Sequence, residues 1–208
     1  MDVIIFSVIF MSYNIFHFSS HEIRDLIIST VAIALIFAWP GRGFYIFNDP
    51  TFFYRFTIAI LIVGSSFIFH ELAHRTVARY FGAYSEFRAW FEGLAIALIL
   101  KILLGFTFIA PGAVYIYKNY LTSKENGIIS LSGPLSNILL ATVFYILSIF
   151  MPPYSVISLI LNFGVYINLY LAAFNLLPIP PFDGSKVLSW NPIIWAIVAI
   201  PLLFWMFF

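Results

Sequence analysis

The sequence predicts an all-α polytopic membrane protein with about six transmembrane segments and a short β-hairpin between two of them. Composition, one long uncharged run and apolar segments of near-spanning length lead to this prediction. Of the 208 residues, 62% are hydrophobic and 9% are charged, and the mean hydropathy is +1.01. Soluble domains carry about 25% charged residues, so the composition is typical of an integral membrane protein.

Prolines, glycines and charges bound the apolar segments that we predict as spans. Pro40-Gly41 closes the first segment. From residue 126 to residue 182 there are 57 consecutive residues without Asp, Glu, Lys or Arg, and Pro152-Pro153 divides this run into two helices. The predicted spans cover roughly 22–39, 52–81, 93–110, 134–150, 155–174 and 192–208. The segment 93–110 has two interpretations, because it either spans the membrane or re-enters it.

The N-terminal 18 residues do not have the features of a signal peptide. Asp2 stands where a positive charge is usual, and no small-residue cleavage site follows the apolar residues 3–10. We predict an interfacial strand, a short helix or a partial span in this segment. Lys and Arg divide almost evenly between the two sides of the predicted membrane, so the positive-inside rule gives no orientation.

A metal site in this chain must use nitrogen and oxygen ligands, because the sequence contains no cysteine. The run His-Glu-Leu-Ala-His at 70–74 places two imidazoles four residues apart on one helix face, with a carboxylate beside them. This H-E-x-x-H pattern supplies two ligands and the general base of zinc hydrolases. It follows an uncharged stretch at 57–69. The alternative is a helix end whose polar side chains face lipid headgroups.

A second polar group ends the long uncharged run, at residues 175–184. Its prolines and the Asp183-Gly184 pair are also compatible with an ordinary helix break and turn. The functional interpretation is that Asp183 supplies a third metal ligand, since two His and one acid leave a fourth position for water. Asn175 would then offer its amide to a peptide carbonyl or an oxyanion.

The predicted hairpin lies between membrane segments. Residues 113–117 form a β-prone run, 122–127 read as a turn, and 128–131 read as a second strand. Unpaired backbone is not tolerated in lipid, so we expect this hairpin to line a cavity or to lie at the interface.

The paired motifs H-E-L-A-H at 70–74 and N-L-L-P-I-P-P-F-D-G at 175–184 resemble those of the site-2 protease family of intramembrane metalloproteases. The run G-P-L-S-N at 133–137 resembles the family's G-P-x-x-N element. The resemblance implies one membrane-embedded metalloprotease domain over 1–208, with its core at 52–190. It also implies a minimal form without a PDZ or CBS domain, and a multi-pass protein of the cell membrane.

The resemblance assigns roles to the polar residues of these motifs. It implies a Zn²⁺ ion bound by His70, His74 and Asp183, with Glu71 as the general base. It further implies that two amides line the substrate path, Asn137 and Asn175. For Asn137, an interhelical hydrogen bond is the alternative.

The implied activity is that of a zinc endopeptidase acting in regulated intramembrane proteolysis. Such an enzyme hydrolyses peptide bonds in or near the transmembrane segments of membrane proteins, so its partners are such a substrate and the lipid bilayer. No basic run indicates nucleic acid as a partner. Two alternatives are a catalytically inactive relative that binds membrane segments and a metal-ion transporter. A transporter often shows internal repeats, and the sequence has none.

Overall fold

The computed structural model describes residues 17–44, 49–107 and 111–207. In chain order the elements are α1 (Ser20–Ala38), α2 (Phe52–Tyr80), β1 (Tyr84–Ala89), α3 (Phe91–Leu104), β2 (Gly112–Tyr117), α4 (Ser123–Ile149), α5 (Val156–Asn175), α6 (Asp183–Trp190) and α7 (Pro192–Phe207). Within α2, residues Ile60–Gly64 form a π-helical turn. The prediction for the N-terminal segment falls almost entirely on residues outside the described ranges.

In the part of the chain that the structure describes, three helices are long and apolar enough to cross a membrane, namely α2, α4 and α5. Helix α1 has 19 residues but carries Glu22, Arg24 and Asp25 in its first turns, and α7 has only 16 residues. The mostly helical, membrane-compatible fold is therefore confirmed, whereas six spans are not confirmed by the part of the chain described.

The apolar segment at 93–110 contains a short helix that does not reach across a bilayer. Helix α3 has 14 residues, which is about 21 Å at 1.5 Å per residue and less than the roughly 30 Å hydrocarbon core. The amide of Trp90 donates to the Pro111 carbonyl at 2.9 Å, so the chain leaves and returns at one end of the sheet. This geometry favours the re-entrant interpretation over a span.

The strand predicted at 113–117 is confirmed as β2, but its predicted partner is wrong. Strand β2 pairs antiparallel with β1, from Tyr84 opposite Tyr117 to Ala89 opposite Gly112. Residues 122–131 are not a turn and a strand, because a capping box starts α4 there. The Thr122 hydroxyl accepts from the Glu125 amide at 3.1 Å, and the Glu125 carboxylate accepts from the Thr122 amide at 2.9 Å.

One edge of this two-stranded sheet is closed by carboxylates of α1. The Phe87 amide donates to Glu22 Oε1 at 3.1 Å, and the Ala89 amide donates to Asp25 Oδ2 at 3.2 Å. The amides of these alternate β1 residues therefore point away from β2. By the same alternation, the backbone groups of Val114 and Ile116 face the other edge of the sheet. Among the described residues, no further strand pairs with that outer edge.

The main apolar core joins α1, α2, β1 and α5. Ile33, Phe67, Phe87 and Ile167 are all nearly or completely buried in it. Phe67 of α2 meets Phe87 of β1 edge to face, with ring centroids 5.4 Å apart. Because Phe67 lies one turn before the H-E-x-x-H run, this packing fixes the depth and rotation of the helix that carries the motif.

Candidate functional site

The two histidines of α2 and the first residue of α6 meet at one point. His74 Nε2 lies 2.9 Å from Asp183 Oδ2 and 3.0 Å from His70 Nε2, and His70 Nε2 lies 3.5 Å from Asp183 Oδ2. All three residues are largely withdrawn from solvent. Residues separated by 109 positions in the sequence thus form one group that can hold a metal ion.

The donor set fits zinc in chemistry and in spacing. Ligand atoms about 2.0–2.2 Å from a tetrahedral zinc ion lie about 3.3–3.6 Å from each other. The separations of 2.9–3.5 Å between the ligating atoms are close to these edges. Two imidazole nitrogens and one carboxylate oxygen also match an open catalytic site, in which a fourth position remains for water or substrate.

Each imidazole is held through the nitrogen that points away from this group. His70 Nδ1 lies 2.6 Å from Asn137 Oδ1, and His74 Nδ1 lies 2.7 Å from the Ile129 carbonyl. Both acceptors belong to α4. A carbonyl can only accept, so Nδ1 of each ring carries the proton and Nε2 presents its lone pair to the metal position.

Helix α4 approaches the two rings closely because residue 133 is a glycine. A Cβ atom at Gly133 would lie 2.4 Å from His74 Nε2 and 2.7 Å from His70 Cε1. Any side chain at this position would displace the ligating edges of both rings. The next residue, Pro134, has no N–H to donate to the Ser130 carbonyl one turn earlier. Ser130 is one of the residues that line the cavity.

Asp183 reaches the histidines because the chain folds back tightly after α5. A Cβ atom at Gly184 would lie 2.1 Å from the Leu176 carbonyl oxygen, so only glycine allows this approach. The second carboxylate oxygen lies 3.5 Å from Lys186 Nζ.

A cavity of about 440 Å³ opens beside this group. The metal-ligating residues, Glu71, part of β2 and the end of α5 line it. Glu71 is only 6% exposed, and its Oε2 atom has no hydrogen-bond partner among the described residues. An unpartnered carboxylate oxygen in a buried cavity next to the metal position is suited to receive a proton from water.

The two asparagines predicted to bind substrate occupy different environments. Asn175 lines the cavity, and its Nδ2 donates to the Leu171 carbonyl at 2.9 Å. Asn137 is fully buried, does not line the cavity, and contacts His70 instead. Its interhelical hydrogen bond is the geometry that the alternative interpretation described. The substrate-binding role of both residues stays a prediction.

Sequence reasoning missed two residues that support the site from behind. Asn168 of α5 and Ser66 of α2 are fully buried and join Asn137 in one hydrogen-bonded group. Uncharged polar residues inside apolar helices were the available signal, because such groups at membrane depth need partners.

Comparison with known proteins places the chain among metallopeptidases. The pattern of "Peptidase family M50" matches residues 58–161. The chain is 57% identical over 195 residues to the "Putative zinc metalloprotease MJ0611" of Methanocaldococcus jannaschii. The aligned residues cover 94% of this chain and 97% of that protein.

Two bacterial relatives are more distant. The "Putative zinc metalloprotease YwhC" of Bacillus subtilis is 30% identical over 152 residues, 64% of this chain and 68% of its own length. The "Putative zinc metalloprotease Rip2" of Mycolicibacterium smegmatis is 29% identical over 148 residues, 64% of this chain and 57% of its own length. No solved structure matches the chain significantly. The match over half of the sequence and the 57% identity establish that the chain belongs to peptidase family M50, the site-2 protease family that its paired motifs resemble.

Proposed function

We propose that this protein is an intramembrane zinc endopeptidase that cuts peptide bonds in or near the transmembrane segments of membrane proteins. The convergence of His70, His74 and Asp183 beside the unpartnered carboxylate of Glu71 is the observation that carries the proposal. Within the described residues, the site lies where α6, which carries Asp183, meets α2, α4 and α5, the three helices long and apolar enough to cross a membrane. We accordingly propose a multi-pass protein of the cell membrane.

His70, His74 and Asp183 would hold the zinc ion, which when bound supplies Lewis acidity that polarises a carbonyl and acidifies water. Glu71 acts as the general base, taking a proton from the attacking water and returning it to the leaving amine. The buried position of its carboxylate keeps competing bulk water away from this transfer. Asn175, on the cavity wall, is placed to donate to a peptide carbonyl or to the oxyanion that develops from it.

A transmembrane substrate must be extended before it can be cut, because a helix hides its carbonyls in hydrogen bonds. Strand β2 offers a surface for this extended form. Residues Gly112–Tyr115 line the cavity, and the outward backbone groups of Val114 face the edge that no described strand occupies. The edge of β1 is closed by Glu22 and Asp25. We propose that substrate adds as a third strand along β2.

Cleavage by purified protein in lipid vesicles tests the proposed function. A panel of tagged single-span fusion proteins, with different apolar segments, is reconstituted together with the enzyme. We expect at least one to be cut, cleavage to stop when a zinc chelator strips the metal, and added zinc to restore it. Cleavage that persists without zinc would refute the proposal. Zinc uptake into dye-loaded vesicles without any cleavage would instead support a transporter.

Replacement of Val114 by Pro tests strand addition. Proline removes one outward N–H, so the substrate loses one backbone hydrogen bond, worth about 0.5–1.5 kcal/mol. We expect cleavage of the same fusion protein to fall roughly twofold to tenfold, measured as kcat/KM. Val114→Ala is the matched control, because it shortens the side chain and keeps the N–H. Equal losses in both variants would argue against strand addition on this edge.

A further inference from the structure

A buried hydrogen-bonded group connects α5 to the metal position through Asn137. Asn137 Nδ2 donates to the Ser66 carbonyl at 3.1 Å and to Asn168 Oδ1 at 2.9 Å. Asn168 Nδ2 donates to Ser66 Oγ at 2.8 Å and to the Gly164 carbonyl at 2.9 Å. Ser66, Asn137 and Asn168 have no exposed surface. The group therefore joins α2, α4 and α5 within the apolar interior.

Three backbone carbonyls, those of Gly164, Ile62 and Ser66, set the direction of every hydrogen bond in this group. The Gly164 carbonyl can only accept, so it fixes the NH₂ end of Asn168 toward itself and toward Ser66 Oγ. Ser66 Oγ then donates onward to the Ile62 carbonyl at 2.7 Å. The Oδ1 atom of Asn168 is thereby turned toward Asn137.

The same logic fixes the amide of Asn137. Its Nδ2 faces two acceptors, the Ser66 carbonyl and Asn168 Oδ1, so its Oδ1 must face His70 Nδ1. An amide oxygen facing Nδ1 requires the proton of the ring to be on that nitrogen. The lone pair of His70 Nε2 is then directed at the metal position.

We propose that Asn168 is a positioning residue of the metal site: acting with Ser66 through Asn137, it holds the His70 ring in the tautomer and orientation that bind zinc. This inference rests on the proposed metal site and extends it to a residue of α5 that touches neither metal nor substrate. Loss of a residue bonded directly to a ligating histidine, as Asn137 is, typically costs about 10–100-fold in metal affinity; Asn168 acts through Asn137, so we expect a loss at the low end of this range.

Zinc affinity, measured by competition with a chromophoric chelator on purified protein, tests the proposal without depending on proteolysis. Replacement of Asn168 by Leu keeps the approximate volume and removes both functions of the amide. We expect zinc affinity to fall about tenfold. Asn162→Leu is the control on the same helix, since its Nδ2 also bonds the carbonyl four residues earlier, at 2.8 Å, but reaches nothing in the site.

A second control separates positioning from general destabilisation. Ile167 is fully buried next to Asn168 in the sequence, and Ile167→Ala weakens the core without touching the hydrogen-bonded group. We expect it to lower thermal stability and to leave zinc affinity unchanged. An equal loss of zinc affinity in Ile167→Ala and Asn168→Leu would overturn the proposal.

A double-mutant cycle identifies the route of the effect. In an Asn137→Ala background, Asn168→Leu should cause no further loss of zinc affinity, because the two residues act in series. Additive losses would contradict the proposal, and so would an unchanged affinity in the single variant.

If Asn168→Leu does not fold, Ser66→Ala replaces it. We expect that variant to lose zinc affinity by a few fold, and an unchanged affinity would count against the proposal. If zinc affinity follows this pattern in a protein that cuts nothing, the positioning role stands and the proposed protease function fails.

Discussion

Replacement of Glu71 by Gln is expected to lower peptide cleavage about 10²–10⁴-fold while zinc stays bound. Glutamine keeps the shape of the side chain, but its amide has no basic oxygen that can take a proton from water. The metal ligands are unchanged, so the zinc content of the purified variant should equal that of the unmodified protein. The measurements are kcat on a single-span fusion protein and zinc content by mass spectrometry on the same sample.

Glu92→Gln is the matched control for this change. Glu92 is an exposed carboxylate in the first turn of α3, outside the residues that line the cavity. We expect its cleavage rate and its zinc content to equal those of the unmodified protein. A Glu71→Gln variant that still cuts at the normal rate would show that another group serves as the base.

Replacement of Asp183 by Ala is expected to remove zinc and activity together. The change deletes one of three ligands, so the loss of zinc affinity should exceed the 10–100-fold typical of outer partners. It also removes the anion that meets both imidazoles at 2.9 and 3.5 Å. Zinc affinity by chelator competition and cleavage in vesicles measure the two effects.

Ser189→Ala provides the control on the same helix as Asp183. Ser189 is exposed, and its hydroxyl donates to the Ser185 carbonyl within α6. We expect this variant to bind zinc and cut substrate normally. If Asp183→Ala kept one zinc ion per chain at unchanged affinity, the third ligand would have to be another residue.

The elements that carry the site could be predicted from the sequence because their signals are local. H-E-x-x-H lies on one long, largely apolar helix, predicted at 52–81 and observed as Phe52–Tyr80 with a π-helical turn inside it. The break after α5 follows from its prolines, and the pairing of Asp183 with the histidines was implied by the family resemblance. The structure brings those three residues together, as that resemblance led us to expect.

The second strand of the hairpin was misplaced because long-range packing overrides a local turn signal. Gly127 looked like part of a turn, but a Cβ atom there would lie 2.4 Å from the Trp190 side chain. This glycine lets α4 and α6 pack closely within a continuous helix. The true partner, Tyr84–Ala89, buries three consecutive residues, Ser85, Glu86 and Phe87, so its burial does not show the simple alternation by which a half-buried strand is recognised in a sequence.

The supporting hydrogen bonds could not be predicted from spacing alone. Asn168 lies outside every motif, and its importance depends on the crossing of α2, α4 and α5 at one point. An isolated Asn in an apolar helix signals that a partner exists, but the sequence does not identify that partner. Asn137 shows the same limit, since its motif did not reveal that it faces His70 rather than the cavity.

The position of the cut in a single-span substrate tests the central proposal most directly. The products formed in lipid vesicles are identified by mass spectrometry, with Glu71→Gln and zinc-stripped protein as references. We expect new termini inside the apolar segment, absent from both references. New termini only in the polar flanks, or equal amounts of product from Glu71→Gln, would contradict intramembrane zinc proteolysis by this site.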